Sequence, residues 1–134
     1  MTGLVIDTSV VGPWILSDEE NDLSIRVLGM LEDLEATVPA IWFYEVGNLI
    51  RSSFRRGRLT DEETPQAVAM LTNLPIVEGK NGSLNEIIRI CRTCDLSFYD
   101  AAYVDLALRE KLPLATLDRR LADAASGAGV ALFA

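Results

Sequence analysis

The stretch Leu4-Val5-Ile6-Asp7-Thr8-Ser9 decides the fold. Leu4, Val5 and Ile6 form an unbroken apolar run rich in β-branched residues, the pattern of a strand buried on both faces in the middle of a parallel sheet. Such a strand hands its next residue to the carboxyl edge of the sheet, where open α/β folds bind ligands between strand ends. That next residue is Asp7, followed by two hydroxyl side chains. An acid in that place asks for partners, and the remaining question is which other acids reach the same edge.

Working outward, Val10 to Leu16 contains Gly12-Pro13 and reads as a turn or a short helix with proline early in it. Leu23, Val27, Leu28, Leu31 and Leu34 recur at helical spacing. Thr37-Val38-Pro39-Ala40 suits a brief parallel strand leading into a helix over Ile41–Arg56, whose basic end and Gly57 supply the stop. Thr60-Asp61-Glu62-Glu63, Ser83-Leu84-Asn85-Glu86 and Ser97-Phe98-Tyr99-Asp100 are three capping-box patterns, each opening a helix. In the second of these helices Leu84, Ile87, Ile88, Ile90 and Cys91 make the inward face. Pro75–Glu78, Pro113–Leu117 and Val130–Phe133 read as further strands, and a helix containing Leu121 and Ala125 follows Asp118. Short apolar strands alternating with helices predict a mostly parallel α/β sheet covered on both faces, in one domain spanning residues 1–134.

Composition narrows the chemistry. No window approaches the roughly 18 apolar residues of a membrane helix, and no basic, apolar leader opens the chain, so the expected address is cytoplasmic. The net charge of −8 argues against a protein that holds nucleic acid by bulk attraction, unless cations offset clustered carboxylates. With no histidine, Ser-His and Cys-His mechanisms and imidazole metal sites are excluded together. Cys91 and Cys94 lie late in an amphipathic segment and lack the further ligands of a zinc site, so they read as buried, reduced thiols.

Asp7 and Asp118 each follow an apolar strand, while Glu45 and Asp100 each stand early in a helix that begins at that same edge. Four converging carboxylates would bind a hard cation such as Mg²⁺ or Mn²⁺, whose natural work is phosphodiester hydrolysis. Plainer readings exist for three of them: Asp118 as a helix N-cap, Asp100 as the last residue of a capping box, and Asp7 as a turn cap. Glu45 discriminates, because a carboxylate among Trp42, Phe43, Val46 and Leu49 is costly to bury unpaired, and Arg51 lies on a poorly matched face. Asp105 points about 140° away from Asp100 at 100° per residue, which predicts a solvated face or the margin of the site.

With these positions assembled, the chain resembles the PIN-domain nucleases, and among them the VapC toxins of toxin–antitoxin pairs. The matching text is Val5-Ile6-Asp7-Thr8-Ser9-Val10, Glu45-Val46-Gly47-Asn48-Leu49, Leu96-Ser97-Phe98-Tyr99-Asp100-Ala101-Ala102-Tyr103 and Leu117-Asp118-Arg119-Arg120-Leu121. The resemblance implies a three-layer α/β/α fold with four or five strands and a Mg²⁺- or Mn²⁺-dependent endoribonuclease. Asp7, Glu45, Asp100 and Asp118 match the acidic quartet of the family. Thr8, Ser9, Asn48 and Thr116 look like groups that orient carboxylates or waters. It further implies a homodimer and a cognate VapB-like antitoxin lying across the active-site groove. Gly12-Pro13 departs from the family's more regular helix and bears only on the local loop.

Glu45, Asn48, Ser52 and Arg55 share one helical stripe, leading toward Arg55, Arg56 and Arg58. This basic end, with Arg119 and Arg120, is the expected track for RNA phosphates; the plainer reading is a solvated helix end. Two other functions fit parts of the chain: a catalytically silent PIN-like binding module, and a phosphatase with Asp7 as nucleophile. The phosphatase lacks its general acid, since Ser9 stands two residues on. DNA remains an open alternative substrate.

Overall fold

The computed structural model describes residues 2–134. Strand β1 (Gly3–Ile6) is buried at every position, as its unbroken apolar run requires. It pairs in parallel with β2 (Glu35–Val38) on one side and with β4 (Leu114–Ala115) on the other. Strand β3 (Ile76–Glu78) adds beyond β2, giving the order β3-β2-β1-β4 with every pair parallel. Strand β2 begins two residues earlier than its apolar pattern suggests and ends before Pro39, which has no N–H to give a ladder. The expected last strand, Val130–Phe133, is reduced to a single parallel bridge from Leu132 to Leu114. The two-residue β4 offers it nothing longer to pair with.

Seven helices fill the connections among the described residues: α1 (Gly12–Ile15), α2 (Asp22–Met30), α3 (Ile41–Arg55), α4 (Glu63–Asn73), α5 (Leu84–Cys94), α6 (Phe98–Glu110) and α7 (Arg119–Gly127). The chain steps β1, β2, β3 in one direction and then returns past both to β4. Right-handed crossovers therefore place α1–α4 on one face and α5–α7 on the other, the three-layer α/β/α arrangement. The strand order reverses between β1 and β4, which makes the crevice at their carboxyl ends the binding position of such a sheet.

The capping boxes set the helix starts. Glu63 N–H donates to Thr60 Oγ1 at 3.1 Å while Thr60 N–H donates to Glu63 Oε1 at 2.9 Å, and Ser83 and Ser97 accept from the N–H groups of Glu86 and Asp100. Gly57 takes the left-handed conformation just past α3, with φ +75°. In α5 the buried stripe is Ile87 and Ile90, backed by half-buried Cys91 and Cys94, which are free thiols at the core margin rather than fully buried ones. Leu84 and Ile88, expected inside, lie four residues apart along the flank of that stripe and are exposed.

The larger correction is Asp105. It is buried, not solvated, and its carboxylate accepts from Arg109 Nε at 2.8 Å. Helix α6 is enclosed nearly all round, so the face opposite Asp100 meets protein: Arg109 Nη2 also donates to Lys80 O at 2.8 Å, clasping the loop before α5. Gly82 packs so closely there that a Cβ would stand 2.1 Å from Asp105 Oδ2. No helix among the described residues is long and apolar enough to cross a membrane.

Candidate active site

Asp7 leaves the end of β1 with its N–H bonded to Ala115 O of β4 at 3.3 Å, so it stands directly in the reversal crevice. Two hydroxyls hold its carboxylate. Ser9 Oγ donates to Oδ1 at 2.5 Å, and Thr116 Oγ1 donates to Oδ2 at 2.6 Å. Each hydroxyl oxygen in turn accepts a backbone N–H, Ser9 from Leu117 at 2.8 Å and Thr116 from Asp118 at 3.0 Å. An ionised carboxylate only accepts, so both hydroxyls donate to Asp7. The side chain is only 7% exposed, and no cation reaches it among the described residues. Burial lifts its pKa from 3.8 to about 6; the hydroxyl bonds pull down, and the charges of Asp118 and Glu45 push up.

Glu45, one turn into α3, is half-buried. Its Oε1 accepts from Tyr103 OH at 2.5 Å and from Thr8 Oγ1 at 3.3 Å, leaving Oε2 with no protein hydrogen bond among the described residues. Burial, and then the Glu45 carboxylate, raise the Tyr103 phenol far above its ordinary value, so it stays a proton donor. The sequence alone assigns Tyr103 no role at the site. The available signal was that a buried tyrosine hydroxyl needs a partner.

Asp118 caps α7 through one oxygen: Oδ1 accepts the N–H groups of Arg120 at 3.0 Å and Leu121 at 3.2 Å. The capping role and a ligand role are therefore compatible, because the second oxygen has no protein hydrogen bond among the described residues. Asp100 is half-buried at the start of α6. Its pKa is raised by burial first and by Asp118 second, with Arg120 opposing. Asp118 thus bears on both Asp7 and Asp100, and Glu45 on Asp7.

Comparison with known proteins matches the family model described as "PIN domain" to residues 4–127. The chain belongs to the PIN domain family. It is 28% identical over 123 residues to the Ribonuclease VapC3 of Pyrobaculum aerophilum, covering 90% of this chain and 92% of that protein. Its fold is similar to the crystal structure of PAE2754 from Pyrobaculum aerophilum, with TM-score 0.67 at 19% identity over 92% of this chain and 84% of that one. FitAcB from Neisseria gonorrhoeae is similar to the same degree, with TM-score 0.67 at 19% identity over 98% and 96%.

The other expected residues of this PIN domain carry fewer contacts. Asn48 is exposed and makes no side-chain hydrogen bond among the described residues. Arg55, Arg56 and Arg119 are exposed and make no ion pair among the described residues, whereas Arg58 is held by Asp18 at 3.0 Å and Glu19 at 2.6 Å. Arg120 is anchored on the carbonyl of Asp95, the C-cap of α5, at 2.6 Å. Among the described residues no three ligating side chains are gathered closely enough to cage an ion by themselves.

Proposed function

We propose that this PIN domain is a divalent-metal-dependent endoribonuclease of the VapC kind, a homodimeric toxin held inactive by a cognate VapB-like antitoxin. The observation that carries the reading is Asp7, a carboxylate buried at the sheet's reversal point with hydroxyl donors and, among the described residues, no cation. The name of the VapC3 relative supports RNA as substrate. Asp7, Glu45, Asp100 and Asp118 offer oxygen donors only, the set suited to Mg²⁺ or Mn²⁺. The chemistry such an ion supplies, when bound, is neutralisation of phosphodiester charge and a more acidic attacking water.

The chain's own side chains do the positioning. Ser9 and Thr116 fix both oxygens of Asp7, so little reorganisation is needed when charge arrives there. Tyr103 and Thr8 hold one oxygen of Glu45 and turn the other outward. Asp118 is steadied by its cap, and Asp100 keeps its proton to higher pH than an ordinary aspartate. Exposed Phe43, Phe54 and Val68 on α3 and α4 supply apolar surface for the protein partners.

The test is cleavage of RNA by the purified chain with Mn²⁺, with and without EDTA, beside Asp7→Asn. Metal-dependent cleavage lost in the variant is the expected result. Metal-independent cleavage, or full activity in Asp7→Asn, contradicts the reading.

A further inference from the structure

A second feature opens on the carboxyl edge of the sheet beside the acidic crevice. A cavity of about 350 Å³ lies between the start of α3, the start of α6 and the loop leading into α5, within the range of small-molecule sites, roughly 300–1,000 Å³. Tyr44, Phe98 and Tyr99 line it together with Asn81, Gly82 and Leu84. Tyr44 immediately precedes Glu45, and Tyr99 immediately precedes Asp100. Each aromatic ring is therefore chain-neighbour to a carboxylate of the site. Tyr44 is 65% exposed and Tyr99 59%, leaving their faces free, and the Phe43 ring braces Tyr44 edge-on at 5.3 Å between centroids.

Charge decides what such a pocket is for. The chain carries −8, and Arg58, Arg89, Arg109 and Arg120 are each engaged by acids or carbonyls. Among the described residues no lysine or arginine lines this pocket, so its grip on a nucleotide seated there must come from contacts that carry no charge. Stacking of bases on aromatic faces is such a contact and tolerates any base. The Asn81 amide, with both donors and an acceptor, is the one side chain of the lining suited to reading a base edge.

Resting on the ribonuclease reading above, we infer that the Tyr44–Phe98–Tyr99 pocket is a nucleobase subsite, stacking the base of a nucleotide next to the scissile phosphate. It makes this PIN domain a single-strand binder through rings rather than phosphates. Asn81 biases which base is held.

The test is fluorescence quenching of a short single-stranded RNA containing 2-aminopurine, titrated with the Asp7→Asn chain in EDTA so that nothing is cleaved. Expected are quenching on binding and a plot of log K against log salt no steeper than about −1.4, two phosphates' worth at about 0.7 each. Tyr44→Leu and Tyr99→Leu, which keep apolar bulk but remove the π face, each weaken binding about tenfold. Tyr44→Phe and Tyr99→Phe restore it. Unchanged affinity in both Leu variants overturns the inference. So does loss of quenching that tracks a fall in molar mass by light scattering on the same samples, since the face is then the seat of a second copy. If the wild type hydrolyses no RNA while the Leu and Phe pattern holds, the subsite stands and the nuclease reading falls.

Discussion

Asp7 and Asp105 are two aspartates buried to nearly the same depth, 7% and 4% exposed, and the molecule resolves their charges in opposite ways. Asp105 has a guanidinium at 2.8 Å, and the pair staples the loop around Gly82 onto α6. Asp7 has two hydroxyls, two carboxylate neighbours and, among the described residues, no cation. One carboxylate is finished by the fold. The other is oriented but left uncompensated, the condition of a ligand whose counter-charge comes from solution.

Breaking each aspartate's environment separately sharpens the contrast. The largest effect belongs to Asp7→Asn in the RNA-cleavage assay. If Asp7 is the ligand proposed above, losing its several kcal/mol of transition-state stabilisation lowers the rate at least about a hundredfold. Arg109→Met, by contrast, leaves the rate of the folded protein within a few-fold while destabilising it by roughly 3 kcal/mol in urea unfolding, because it strands the buried Asp105 charge. Replacing both partners, Asp105→Leu with Arg109→Met, returns most of that loss.

The pH dependence of the metal-free protein should show the Asp7 charge directly. Its folded pKa, about 6, lies above the ordinary 3.8, so its contribution to stability is full below pH 3.8 and is lost as pH rises through 6. At 1.36 kcal/mol per unit the loss is about 3 kcal/mol. Chemical denaturation at pH 4, 5, 6 and 7 should therefore fall for wild type relative to Asp7→Asn; parallel curves would remove Asp7 as the cause. The smallest effect is Thr116→Val, which keeps shape but deletes one orienting donor. It should weaken Mn²⁺ binding by about tenfold, as measured by calorimetry.

Much of this contrast was legible in the residues themselves. Asp7 and Asp118 could be placed because a carboxylate following a parallel strand has one destination, the carboxyl edge. Asp105 could not, because a helical wheel gives direction but not what lies there, and the face opposite Asp100 is covered by a loop twenty-odd residues upstream. Tyr103 was hidden likewise: its apolar body fits the helix pattern, while its hydroxyl is aimed at Glu45 on another element. The stripe from Glu45 to Arg55 is real helix geometry, yet Asn48 on it faces solvent. Strand β4 and the bridge beyond it are too short for any periodicity to delimit.

The most direct test of the central claim is thermal unfolding at pH 7 of wild type and Asp7→Asn, each with EDTA and with saturating Mn²⁺. Asp7→Asn should melt above wild type in EDTA, since the uncompensated charge is gone. Mn²⁺ should raise wild type, by about 2.7 kcal/mol at a hundredfold excess over its dissociation constant, and leave the variant nearly unmoved. An Asp7→Asn chain that melts lower in EDTA, or gains as much from Mn²⁺ as wild type, would contradict the assignment of Asp7 as the uncompensated ligand.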